Sequence, residues 1–268
     1  MRRPVPERGG NRPVRHGLAR VLSKHGVCSR SQATRLIAEG RVSVDGRIVR
    51  DPEWPTDARA DRLAIDGHAL QAAVDRVYLA LNKPRGLVTS AADERGRSTV
   101  YAPFEAAALP WVAPVGRLDR ASEGLLLFTN DTAWAAAITD PRTHLDKRYH
   151  VRIDRLADAA LLDALRSGSD VDGERLALKS VEVLRSGERN AWLDVVLDEG
   201  RNRHIRRLLA AHDVAVLRLV RVAIGPVVLG TLAKGAWRHL DPAEIAALRP
   251  AARANAPAGA LRSGGHLR

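Results

Sequence analysis

Cysteine is almost absent from this chain of 268 residues: Cys28 stands alone, so an intrachain disulfide and a multi-cysteine metal site are both impossible. Cys28 itself is expected to be a small buried apolar residue. The nine histidines show no metal-ligand spacing, so no metal is expected. Long apolar runs are missing as well. Nothing approaches the roughly 18 uninterrupted apolar residues of a spanning helix, and residues 1–17 are rich in arginine and proline with no apolar signal core. A cytoplasmic protein, away from membranes, is the expectation. Three further absences narrow the chemistry: Gly-x-Gly-x-x-Gly after a strand, the Gly-x-x-x-x-Gly-Lys-Ser/Thr phosphate loop and the Gly-x-Ser-x-Gly elbow. Nucleotide cofactors, ATP hydrolysis and serine-hydrolase chemistry lose ground with them. Acidic residues are also in deficit, with 31 Asp and Glu against 43 Lys and Arg, a net charge of +12.

The 45% of hydrophobic residues is enough for real cores in one large domain or two smaller ones. The positive surplus is concentrated at the start, where residues 1–50 carry eleven arginines and one lysine against Glu7, Glu39 and Asp45. No long basic amphipathic helix accompanies it, so nucleic acid suits this charge better than a membrane surface. Residues 1–15 read as a disordered basic tail, and residues 249–268 as another.

From Gly17 the pattern becomes helical. Leu18, Val21 and Leu22 share one face before a break at Gly26. Ser29 and Gln32 form a capping-box signature for a second helix with Ala33, Leu36 and Ile37 inward and Gly40 at its end. Val42 and Val44 then alternate into an Asp45-Gly46 turn and return through Ile48 and Val49, a hairpin pattern. Arg30, Arg35, Arg41 and Arg47 fall around this unit, either as a plain solvated surface or as a track for a phosphate backbone. Alternation resumes over residues 63–70, and a linker is expected near residues 71–75, dividing a module of residues 16–74 from one of residues 75–248.

In the second module residues 77–81 read as a strand ending in Asn82-Lys83-Pro84-Arg85-Gly86, where proline and glycine force a rigid turn. Residues 125–129 read as a buried strand, followed by a helix from Asp131 to the stop at Pro141. Residues 151–153, 176–183, 191–197 and 222–229 are strand-like, and residues 158–166 and 204–211 helical. Without regular strand–helix alternation, this predicts an α+β domain with a mostly antiparallel sheet.

Two features can carry chemistry. Gly116-Arg117-Leu118-Asp119, followed by Ser122 and Gly124, sets one carboxylate beside an arginine just ahead of a buried strand. Residues 201–221 hold six arginines and a single acid, Asp213. Alone, Asp119 reads equally as a turn cap or a partner for a surface base, and the arginines as a solvated helix face.

Their arrangement along the chain is more specific. Leu22, Gly26-Val27-Cys28-Ser29-Arg30, Ile37, Gly40-Arg41-Val42 and Val44-Asp45-Gly46 resemble the S4-type RNA-binding domain, with Ser31 where a second arginine is common. Asn82-Lys83-Pro84-Arg85-Gly86, Gly116-Arg117-Leu118-Asp119 through Asn130-Asp131, Asp140-Pro141 with Lys147-Arg148-Tyr149, and Glu199-Gly200-Arg201-Asn202-Arg203-His204-Ile205-Arg206-Arg207 resemble, in order, the motifs of RNA pseudouridine synthases of the small- and large-ribosomal-RNA branch. Ser122 replaces a common threonine and keeps the hydroxyl.

The resemblance implies a small S4-type RNA-binding domain ahead of a mixed, mostly antiparallel catalytic domain, needing no cofactor. It makes Asp119 the catalytic aspartate, as nucleophile or as base, and Arg206 its paired cation, with Arg207 as the neighbouring alternative. It makes Tyr149 the tyrosine that packs on the target base, where a core tyrosine is the other reading. Arg117 would enter the stack vacated by a flipped uridine, or else pair with Asp119. Arg30, Arg35 and Arg41 would face structured RNA. Lys83, Arg85, Arg201 and Arg203, with Arg218 and Arg221, would neutralise phosphates; about six such contacts imply an affinity loss on the order of hundreds-fold between roughly 50 and 200 mM salt. Lys147 reads as a structural or phosphate contact. The expected partner is ribosomal RNA or a pre-ribosomal particle, 23S rather than 16S from residues 217–226. A non-enzymatic RNA-binding or ribosome-assembly factor is the competing class, and nothing in the chain demands more than a monomer.

Overall fold

A computed structural model describes residues 15–70, 75–91, 93 and 95–249. The expected tails fall outside these residues apart from Arg15 and Arg249, as does the linker apart from Asp75.

The first module folds around its two helices. A short strand β1 (His16–Gly17) leads into α1 (Leu18–Lys24), and α2 (Arg30–Ala38) follows. Leu18, Val21 and Leu22 are fully buried, as the helical spacing requires. The Ser29 side chain accepts from the Gln32 amide and the Gln32 side chain accepts from the Ser29 amide, completing the capping box. Gly40, at φ +74°, lets the chain leave α2. It then forms the hairpin β2 (Val42–Val44) and β3 (Arg47–Ile48), whose turn residues Asp45 and Gly46 both have positive φ. That geometry matches the right-handed twist of the two strands. After β4 (Pro55–Thr56), which pairs with β1, β5 (Leu63–Ile65) and β6 (His68–Ala69) complete a four-stranded sheet in the order β3-β2-β5-β6. Ala33, Ile37, Val42, Val44 and Leu63 close the core beneath it.

The second module is built on β7 (Tyr78–Lys83), β8 (Ala113–Val115) and β9 (Glu123–Thr129), followed by α3 (Thr132–Thr139). Every residue of β9 is buried, and β7 lies antiparallel against it over its whole length. Asp131 caps α3 by accepting from the Ala133 and Trp134 amides, and its second oxygen accepts from the Tyr78 hydroxyl at 2.9 Å. The chain then runs through β10 (Lys147–Ile153), α4 (Ala159–Ser167), the hairpin β11 (Ser169–Val171) and β12 (Glu174–Leu176), β13 (Ser180–Ser186) and β14 (Ala191–Leu197). It ends with α5 (His204–Ala210), β15 (Val216–Ile224), β16 (Val227–Val228), β17 (Trp237–His239) and α6 (Pro242–Ala247).

These strands form a nine-stranded sheet in the order β13-β14-β10-β15-β9-β7-β17, with β16 on β15 and β8 on β9. All its strand pairs are antiparallel except β15 with β9. α4 and α5 cover one end, where Leu161, Leu165, Leu208 and Leu209 pack on Val151, Leu193 and Val195. The scarce aromatics gather at the other end: the rings of Tyr101 and Phe104 meet Phe128 edge-on at 5.9 and 5.0 Å. The modules touch where the Trp111 amide donates to Gly26 O at 3.2 Å.

Two strand boundaries differ from the expectation. Residues 176–183 are not one strand, because the Leu178 amide bonds Leu165 O and turns that side chain into the α4 core, separating β12 from β13. Residues 222–229 are the end of a longer strand and a short return, because Gly225 adopts φ +51° ahead of Pro226 and folds β16 back on β15.

The parallel β15–β9 junction requires glycine at position 124. Its φ is +100°, and a Cβ there would lie 2.2 Å from Arg221 O. Gly124→Ala should therefore destabilise the protein by about 2 kcal/mol or more, read as a fall in the urea midpoint; an unchanged midpoint contradicts this packing.

Candidate active site

Asp119 lies on the bend between β8 and β9, and that bend is held by its own carbonyls. Leu118 O accepts from Thr89 Oγ1 at 2.7 Å, Arg120 O from the Gly86 amide at 2.8 Å and Ala121 O from Arg206 Nη2 at 3.5 Å. Asp119 O accepts from the Ser122 amide at 3.0 Å and from Lys83 Nζ at 3.2 Å, and Ser122 O from the same Nζ at 2.8 Å. The backbone is thus fixed while the carboxylate is left open to the cavity. Among the described residues its one ion pair is a long one, 3.9 Å from Oδ2 to Arg203 Nη1, with the Asp119 side chain 37% exposed.

Lys83 is not the RNA contact that the sequence leads one to expect. Lys83 is 0% exposed, and its ammonium donates to the carbonyls of Pro84, Asp119 and Ser122. It is a buried clamp because it ends β7 on the face of Leu79 and Leu81, where the strand's period of two places it. Burial lowers its pKa to about 8, a shift opposed by the charges of Asp119 and Glu123 and reinforced by Arg221.

Around Asp119 is a cavity of about 780 Å³ lined by Arg117, Tyr149, Arg201, Arg203, Arg206 and Lys147, among others. The structure therefore brings together most of the residues singled out in the second module. Tyr149, on β10, is half-buried, with no hydrogen-bond partner for its hydroxyl among the described residues. Arg117 is exposed and does not pair with Asp119. Arg203 reaches Asp119 from a left-handed backbone, φ +48°, at the N-terminus of α5. Such a conformation is costly for a side-chain-bearing residue and recurs at functional sites.

Arg206 does not form the expected direct pair with Asp119. Its guanidinium donates to Val216 O at 3.2 Å and to Ala121 O, and burial with the neighbouring Arg203 charge lowers its pKa while Asp119 opposes that. It lines the same cavity as the carboxylate and interacts with its charge without pairing with it. Arg207 turns away to Glu174 and Asp172.

Several other expected phosphate contacts are already engaged. Arg218 holds the buried Glu123 through two bonds of 3.0 Å, and Arg201 bonds Glu199 at 2.9 Å. Arg221 is buried within the sheet. In the first module Arg41 is bound to Asp66 at 2.6 and 2.9 Å, so it is a partner of that carboxylate and not a free cation. Arg30 and Arg35 make only long pairs, 3.9 Å to Glu53 and 3.8 Å to Glu39, and stay exposed. Arg30 also lines a basic hollow with Arg20 and Lys24, against Thr132 at the start of α3. Arg85 is exposed and unengaged among the described residues. Sequence reasoning missed Glu123, which Lys234 also holds at 2.6 Å; its signal is its place at the start of a wholly buried strand.

The family model described as RNA pseudouridylate synthase matches residues 77–211, and that of the S4 domain matches residues 17–58. The chain belongs to the RNA pseudouridine synthases. It is 36% identical over 231 residues to an uncharacterised RNA pseudouridine synthase of Aquifex aeolicus, covering 85% of this chain and 92% of that one. It is 35% identical over 239 residues to the ribosomal large subunit pseudouridine synthase B of Pasteurella multocida, covering 87% and 69%. A crystal structure of a pseudouridylate synthase superposes with a TM-score of 0.61 at 29% identity, covering 88% of this chain and all of the other. This RNA pseudouridine synthase accordingly carries an S4 domain at its N-terminus. Among its described residues no helix is long and apolar enough to cross a membrane, and no cluster suits a metal ion.

The clamp sets a pH dependence. The folded pKa of Lys83, about 8, lies below the ordinary lysine value. Between the two, the unfolded chain binds the extra proton, so this group adds stability as pH rises through that window. The clamp nevertheless loses a donor there. Turnover should fall as pH passes about 8 without a matching fall in the urea midpoint, and Lys83→Met should remove that limb while slowing turnover by about a hundredfold. An alkaline limb unchanged in Lys83→Met would assign it to another group.

Proposed function

We propose that this synthase isomerises a specific uridine to pseudouridine in ribosomal RNA, in the cytoplasm, with Asp119 as the catalytic aspartate and the 23S molecule as its target. The reaction breaks the C1′–N1 bond of the uridine, turns the base and joins C1′ to C5. It needs a carboxylate at the sugar–base junction, as nucleophile or as proton acceptor from the ribose. The observation that carries the assignment is the open Asp119 carboxylate, which makes no hydrogen bond among the described residues and stands on a bend fixed through its carbonyls beside a cavity of about 780 Å³. Preorganisation of this kind aligns the oxygen without neutralising it.

The other residues follow in role. Tyr149 offers a ring for the flipped base, and its unbonded hydroxyl is available near the carbon that loses its proton. Arg203 pairs with the Asp119 carboxylate at 3.9 Å, and the charge of Arg206 on the same cavity wall interacts with it. Arg117, exposed at the cavity edge and unpaired among the described residues, is free to fill the stack that the uridine leaves, an exchange that offsets unstacking costs of about a few kcal/mol. Residues 16–74 would deliver structured RNA through Arg30 and Arg35, and residues 75–248 would perform the chemistry. The 23S assignment is supported by the relative named for the large ribosomal subunit, together with residues 217–226.

With Lys83, Arg201, Arg218 and Arg221 engaged inside the protein, fewer phosphates are neutralised than the arginine count suggests. Four contacts, from Arg30, Arg35, Arg85 and Arg203, give a loss of affinity of roughly fifty- to a hundred-and-fifty-fold between about 50 and 200 mM salt, readable by filter binding. A flat titration contradicts the electrostatic footprint.

Tritium release from 23S transcripts carrying 5-tritiated uridine tests the function. Wild type should release it, and Asp119→Asn should release none while binding the RNA within about twofold of wild type. Turnover retained by Asp119→Asn removes Asp119 from the catalytic role, and release from 16S transcripts alone reverses the target assignment.

A further inference from the structure

Among the described residues two guanidinium groups with buried nitrogens on the cavity wall, Arg206 and Arg221, have no carboxylate partner, and Arg221 is the more deeply buried. Arg221 lies on β15, is only 6% exposed and lines the cavity that holds Asp119. Its Nε donates to Leu125 O at 2.8 Å, and its Nη2 is buried without a hydrogen-bond partner. No carboxylate pairs with it among the described residues, whereas Arg218, three positions earlier on the same strand, takes Glu123. Two further cations crowd the same region. Lys83 lies beneath the Asp119 bend, and Lys147 lines the cavity, its pKa lowered by burial and then by the Arg221 charge itself. A buried guanidinium without a counter-charge is costly to keep, and such a group beside a cavity marks a place where a ligand supplies the missing negative charge.

The surroundings identify the ligand atoms. Tyr149 stands directly opposite Arg221 in the β10–β15 register, and Leu219 and Ile224 of β15 line the same cavity. That wall combines an aromatic ring and aliphatic side chains with the deeply buried Arg221, which suits a flat heteroaromatic base. A hydrated phosphate is better served at the exposed edge, where Arg117 and Arg203 are.

We infer that Arg221 receives the negative charge of the uracil base while that base is detached from its ribose. This rests on the reading that a uridine is isomerised at Asp119. When C1′–N1 breaks, its electron pair stays with the base and spreads over N1, O2 and O4. The new C1′–C5 bond draws on the same electrons, C5 gives up its proton and N1 acquires one, so the sequence is redox-neutral. Arg221 transfers no proton in it. Its fixed charge stabilises the base most when the base is an anion, which is a contribution to the transition state over the bound uridine.

The test compares two leaving bases. Arg221→Met is assayed for tritium release from 23S transcripts with 5-tritiated uridine, and for the disappearance of 5-fluorouridine, by nuclease digestion and mass spectrometry, from transcripts made with that nucleoside. Fluorine stabilises the detached base as an anion, so its departure depends less on a protein cation. The expected result is a loss of about a hundredfold on uridine and of tenfold or less on 5-fluorouridine, with RNA affinity within about twofold of wild type. Arg221→Lys, which keeps the charge on a shorter reach, should lose about tenfold on uridine and little on 5-fluorouridine; it carries the comparison if thermal melting shows that Arg221→Met is unfolded.

Equal losses on both RNAs in a folded variant overturn the inference. So does a fall in RNA affinity with a salt slope reduced by about one, which assigns Arg221 to a phosphate. A wild type that releases no tritium from any ribosomal transcript overturns the isomerase reading, and this inference with it. Turnover by wild type with equal losses in the variants removes the role of Arg221 alone.

Discussion

The structure depends on one buried ammonium. Lys83 Nζ binds the carbonyls of Pro84, Asp119 and Ser122, and so joins the end of β7 to the bend that enters β9. A charge placed where water cannot reach it needs close dipoles, and three backbone oxygens supply them. In return the bend cannot relax without stranding that charge. This is how the chain holds a carboxylate in a fixed position without spending its oxygens on hydrogen bonds.

The basic composition acquires a different meaning in this light. Many of the cations that suggest a nucleic-acid surface are internal fasteners: Arg218 and Lys234 on Glu123, Arg41 on Asp66, Arg207 on Glu174 and Asp172. Those left for RNA are fewer, with Arg203 on the cavity and Arg30 on the basic hollow beside α1. Arginine suits both uses, since one guanidinium can bind a carboxylate or a carbonyl edge-on and still carry its charge.

Much of the fold was legible from periodicity and turn chemistry. The capping box of Ser29 and Gln32, the Asp45-Gly46 hairpin, the Asp131 cap and the strand over residues 191–197 all follow from local rules, and the structure keeps them. The boundaries that moved did so where a tertiary contact overrode the local pattern, as at Leu178, or where charged residues hid a strand, as with Arg218 and Arg221 in β15. The motif residues of the cavity were also legible, because their order along the chain identifies the family whatever the fold does with them. Their partners were not. Arg203 and not Arg206 touches Asp119, since the left-handed turn ahead of α5 points it there and no sequence pattern specifies that turn.

By itself the sequence determined the two modules, the mostly antiparallel α+β architecture and the membership in a family of RNA-modifying enzymes, because these rest on periodicity and on motif order. The tertiary structure alone decided which charges face water and which face the core. Lys83 and Arg221 read in the sequence as two more basic residues of an RNA-binding protein, and burial turns one into a clamp and leaves the other as a cation awaiting its anion. The reason is physical: charge is a property of a residue, but its effective strength depends on how much water surrounds it, and only the assembled sheet sets that.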